Sequence, residues 1–156
     1  MKTWTDADFP AMSWHDNSVH GIEVRQEENV FGSLILDLDF IEEWLAPVEG
    51  THHFKITPCI LQFHNVTDLV MNLDYRHASA SLCPFTIDRI YRKDAPSEDP
   101  NLSRMWEIEI IWPIGRLSFV ATGFTQTAIG VTVQSELQGL DYKTRKEAKE
   151  SLNQAL

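Results

Sequence analysis

The sequence predicts an all-β fold, mainly antiparallel, followed by a short C-terminal helix. Three observations predict it. Apolar and polar residues alternate at period 2 in segment after segment. These segments have strand length and end in Gly, Pro, Asn, Asp or Ser. The alternation gives way to a helical period only from Asp141 onward. About eight to ten short strands without crossover helices between them favour a sandwich or barrel over an α/β fold. A two-sheet sandwich and a partly closed barrel both satisfy the pattern, and a barrel of this size has room for a small ligand.

Residues 1–12 carry no periodicity and are expected as a flexible N-terminal segment. Val19 to Gln26 sends Ile22 and Val24 to one face and Glu23 and Arg25 to the other, with a turn at Glu27-Glu28-Asn29. Gly32 to Phe40 is the clearest half-buried strand, with Leu34, Leu36, Leu38 and Phe40 opposite Ile35, Asp37 and Asp39; the two strands read as a hairpin. Ile41 to Leu45 breaks the alternation ahead of Pro47 and Gly50, which predicts a single helical turn with Trp44 and Leu45 capping the core edge. His52 to Ile56 and Cys59 to Val66 are two strands divided by Pro58, and Thr67 to Arg76 follows through a tight turn or a bend at Val66 to Asp68. Phe85 to Ile90 alternates and runs out in the exposed loop Arg92 to Pro100. Met105 to Trp112 sends Trp106, Ile108, Ile110 and Trp112 to the core side and pairs with Arg116 to Thr122 across Pro113-Ile114-Gly115. Phe124 to Gln134 is the last strand or strand pair, with a turn at Gly123 and a bulge at Gly130. Residues 141–156 form the helix: Asp141 caps it, Lys143/Glu147 and Lys146/Glu150 are i,i+4 pairs, and Ala148 and Leu152 share its apolar face.

The 156 residues, 43% hydrophobic and 23% charged, make one globular domain, residues 1–156, too apolar for disorder. A formal charge of -10 argues against nucleic acid, whose affinity comes from cations on phosphates. From Gly139 onward the chain holds four of the 13 cations and three of the 23 acids, so the net charge of the other residues is -11. No secretory signal opens the chain and no apolar run approaches membrane-spanning length, so a soluble, cytoplasmic protein is expected. Cys59 and Cys83 match no metal or redox spacing and are expected as buried free thiols.

Two clusters draw a functional reading. In Ser13-Trp14-His15-Asp16-Asn17, His15 could act as a base or ligand oriented by Asp16; the plainer reading has Trp14 plugging the core and Asp16 and Asn17 forming a turn. Asp37 and Asp39 share one strand face and, with Glu42 and Glu43 beyond them, suggest a divalent cation. The calcium-loop spacing and its Gly are missing, and a solvated polar face accounts for the same residues. The six histidines form no zinc motif, although His20 and His64 lie in strands from which either could reach Asp37 or Asp39. Phosphate-binding glycine loops and the serine-hydrolase elbow are absent. Trp14, His15, Asp16, Asp37, Asp39 and Trp44 therefore form the candidate binding set, with no metal and no cofactor assigned.

The segments Trp14-His15-Asp16, Val19-His20-Gly21 and Leu36-Asp37-Leu38-Asp39-Phe40-Ile41-Glu42-Glu43-Trp44 resemble small uncharacterised bacterial β-rich proteins that open with Trp-His-Asp, some of them grouped with immunity proteins of toxin systems. The resemblance covers residues 13–75 and implies a bacterial cytosolic protein without implying a reaction. With the acidity and the missing catalytic motifs, it supports a non-enzymatic acidic binding protein, an immunity-type inhibitor of a basic protein partner. Two alternatives stand beside it: a small-molecule binder using a barrel or inter-sheet pocket, and a metal-dependent enzyme centred on His15, Asp16, Asp37 and Asp39.

Overall fold

A computed structural model describes residues 1–28, 31–76, 81–93 and 103–156. Among these, nine antiparallel strands form one sheet: β1 Thr3–Thr5, β2 Ser18–Arg25, β3 Gly32–Val48, β4 Thr51–Leu73, β5 Phe85–Lys93, β6 Arg104–Trp112, β7 Gly115–Ala121, β8 Gly123–Ala128 and β9 Val133–Ser135. A 3-10 turn, Asp6–Ala11, follows β1, and one helix, α1 Tyr142–Ala155, ends the chain. No helix among the described residues is long and apolar enough to cross a membrane.

The long hairpin β3–β4 organises the sheet. Its register runs from Gly32 opposite Val66 to Val48 opposite Thr51, and the tip turns at Glu49 (φ 51) and Gly50 (φ 79), both left-handed as a two-residue hairpin turn requires. The helical turn expected at Ile41 to Leu45 is strand instead, because Glu43, Trp44 and Leu45 pair with Lys55, Phe54 and His53. Glu42 is the extra residue of a β-bulge, and the bulge breaks the alternation that suggested a helix. Pro58 does not divide β4 either. Its carbonyl accepts from Ile129 N (2.8 Å) on the edge where pairing passes from β9 to β8, so its missing N–H faces a gap in the ladder. β4 then bends at Asn65 (φ 53) and Asp68 (φ 55) and continues unbroken to Leu73.

One edge of β4 holds β3; the other holds β9, β8 and β7 in succession. From β3 the sheet returns to β7 through β2, β5 and β6, so the pairing closes into an uneven ring. It is a partly closed barrel, since β2 and β5 pair only at Ser18/Thr86 and Val19/Phe85. Residues 1–12, expected to be flexible, instead add β1 to β8 and press Phe9 edge-on against Trp106 (centroids 5.5 Å apart, 89°). Inside the ring Leu36, Leu38, Leu61, Phe63, Ile108 and Leu117 are fully buried, and Phe63 meets Trp106 and Phe119 edge-to-face at 5.1 and 4.7 Å. The space a barrel ligand would take is thus occupied by side chains. Trp112 departs from its expected core position and is half-exposed, as is Trp44. Cys59 is buried, as expected, whereas Cys83 is exposed. Arg92 and Lys93 belong to β5; Asn29 of the expected turn and residues 94–100 of the expected loop lie outside the described residues.

Candidate functional site

Alternation along β3 turns Leu34, Leu36 and Leu38 inward and so aims Asp37 and Asp39 at the outer face. That face was expected to be solvated. It is covered by α1, and three local features set the helix there. Asp141 caps it by accepting from Thr144 N (2.9 Å). Val131 N donates to Ala148 O at 3.0 Å. Gly130 lets the helix come close, since a Cβ there would stand 2.9 Å from Pro58 Cγ and 3.2 Å from the Ala148 carbonyl carbon.

Arg145, one turn into α1, consequently lands on the two carboxylates. Its Nε donates to Asp39 Oδ1 at 2.8 Å, and its two terminal nitrogens donate to the oxygens of Asp37. Asp39 Oδ2 accepts from Leu140 N (2.9 Å) and from His20 Nε2 (2.7 Å). Lys149 Nζ stands 3.6 Å from Asp37 Oδ2, so two cations balance two acids. Asp39 is wholly buried and Arg145 is 7% exposed. Burial alone would raise the Asp39 carboxyl, but His20, the Leu140 amide and Arg145 outweigh it and hold the group below its ordinary value. Burial likewise disfavours the Arg145 cation, and the hydrogen bonds to Asp37 and Asp39 more than restore it.

Beside this network, between α1 and the start of β2, opens a cleft of about 760 Å³. Its wall is mainly apolar and includes Pro84, Leu140, Tyr142 and the stems of Arg145 and Lys149; His20, held from behind by Asp39, faces it.

His15 forms a second, separate group. Its Nδ1 lies 3.1 Å from the Asp88 carbonyl and 3.2 Å from Asp88 Oδ1, and its Nε2 lies 3.4 Å from Asp16 Oδ2. The ring stacks on Trp44 (6.2 Å, 18°), and Trp44 meets Phe54 edge-on at 5.0 Å. Asp16, at φ 63 in the turn closed by Asn17 N and Trp14 O, also accepts from Gln138 Nε2 (2.8 Å). Trp14 is a core residue whose Nε1 donates to the buried Gln126 Oε1 at 2.8 Å.

The four residues proposed as a metal centre thus divide into two groups with different partners. Among the described residues no three His, Cys, Asp or Glu side chains stand together as metal ligands would, and Asp37 and Asp39 each commit oxygens to Arg145. His20 reaches Asp39, as its strand position allowed. Arg145 and the cleft were missed, yet a signal existed: Arg145 falls on the same helical face as Ala148 and Leu152, and a cation on a buried face calls for a buried acid. No protein-family model, no curated protein and no solved structure matches the chain.

Proposed function

We propose that the protein acts by binding, without catalysis, and that the cleft beneath α1 takes a small, largely apolar molecule. The cleft's size and wall carry this reading: about 760 Å³ bounded by a mainly apolar surface, much of it the stems of polar side chains, is the usual form of a ligand pocket. The cations of its lining are already paired, Arg145 with Asp37 and Asp39, Lys149 with Asp37 and Lys146 with Glu150, so the apolar wall is what the cleft offers a ligand. The buried carboxylates are neutralised and hydrogen-bonded, which suits them to hold the wall and not to exchange protons. The test is a fluorescence titration with 8-anilinonaphthalene-1-sulfonate, a largely apolar probe. Saturable 1:1 binding is expected, weakened about tenfold or more in Tyr142→Glu, whose change puts a carboxylate at the rim. Absence of saturable binding, or equal binding by the variant, would refute the reading.

A second reading keeps the acidic surface as the functional one, in the manner of an immunity protein facing a basic partner. The observation favouring it is the net charge of -11 carried by residues 1–138, away from the helix. Co-purification at low ionic strength should then retain a basic protein that high salt releases; recovery of no partner at any salt concentration would remove this reading.

A further inference from the structure

β2 has two unlike halves. Ser18 and Val19 are paired on both sides, to Asp39 and Leu38 of β3 and to Thr86 and Phe85 of β5. From Gly21 to Arg25 the strand pairs with β3 alone, and its other edge has no ladder partner among the described residues. This half also exposes apolar side chains, Ile22 at 37% and Val24 at 66%. Edge strands are commonly guarded by Pro, Lys or unbalanced charge. Here the two charges cancel: Arg25 Nε and Nη2 donate to the Glu23 carboxylate at 2.9 Å each.

We propose that this edge is an interface between two copies of the chain, β2 against β2, antiparallel about a twofold axis at Val24. The charges select both the occupant and the register. With Val24 opposite Val24, Glu23 of each copy stands opposite Arg25 of the other, so two intrastrand ion pairs become two cross-strand pairs and no charge is left alone. A slip that centres the pairing on Glu23 or Arg25 sets like charges face to face. An edge with one acid and one cation is complementary to itself and offers little to a strongly basic strand. A twofold axis also closes the assembly at two copies, leaving no further edge to propagate.

The test is the mass in solution by light scattering and sedimentation equilibrium, from low micromolar to several hundred micromolar protein. The 17.9 kDa chain is expected to double its mass as concentration rises. Arg25→Glu sets Glu opposite Glu and Glu23→Arg sets Arg opposite Arg, so each variant alone should be monomeric over that range, at least tenfold weaker in association. Mixed in equal amounts, the two variants restore both opposite-charge pairs and should form a heterodimer. Both positions are on the surface, and unchanged circular dichroism will show that the fold is retained. A wild-type monomer throughout, variants that dimerise like wild type, or a mixture that stays monomeric would each overturn the proposal.

Discussion

His20 and His15 stand beside the same chemical group and differ in what lies over them. His20 meets a carboxylate that is fully buried, shared with Arg145 and a backbone amide, and roofed by α1. His15 meets two carboxylates, Asp16 and Asp88, yet its side chain is 51% exposed and its one broad contact is the face of Trp44. More carboxylates do not make the stronger site. Exclusion of water makes each hydrogen bond at Asp39 obligatory, whereas solvent can replace those at His15.

The largest expected effect tests that contrast at its root. Asp39→Ala leaves Arg145 buried and only half-paired, and should cost about 3–5 kcal/mol in urea unfolding. Asp16→Ala should cost no more than about 1 kcal/mol, as for exposed ion pairs. Equal losses would erase the distinction. Next comes the seat of the helix: Gly130→Ala drives a methyl group into Pro58 and Ala148 and should cost about 1–3 kcal/mol. A neutral or stabilising outcome would mean that α1 is not pressed against the barrel there.

Acid sharpens the same comparison. The Asp39 carboxyl is held below its unfolded value, so it contributes stability that is complete above about pH 4, the usual carboxylate range, and is lost as pH falls through the lower folded value. Glu42, whose burial is outweighed by bonds from Lys2, Thr57 and Thr132, acts in the same sense. The unfolding midpoint of the wild type should therefore fall steeply below about pH 4, and that of Asp39→Asn more gently from a lower start. The smallest effect is expected of Asp141→Ala, which removes the cap on Thr144 N and should fray the first turn of α1 while the barrel keeps its unfolding midpoint. Helical dichroism at 222 nm, followed with temperature, reads that difference.

Much of the barrel was legible because its signals are local. The face assignment of Leu34, Leu36 and Leu38, the β2–β3 hairpin, the Asp141 cap and the two i,i+4 pairs of α1 all follow from spacing, and the structure contains them. The misreadings share one cause. A broken alternation at Ile41 to Leu45 is a bulge or a helix depending on whether Phe54 and Lys55 lie alongside, and Pro58 interrupts a strand only if its N–H faces a partner. The site depends still more on distant chain. Asp39 reads as a solvated carboxylate until Arg145, 106 residues away, is laid over it. Composition located the acids but could not reveal that two of them are neutralised beneath the one helix.

The central claim is that Arg145 fastens α1 to the outer face of β3 and so builds the cleft. Amide hydrogen exchange on Arg145→Met, which keeps the bulk of the side chain and removes its donors, tests it most directly. The account predicts that Tyr142–Ala155 loses protection while Leu34–Phe40 and Cys59–Phe63 in the barrel keep theirs. Protection of α1 equal to that of the wild type would contradict it.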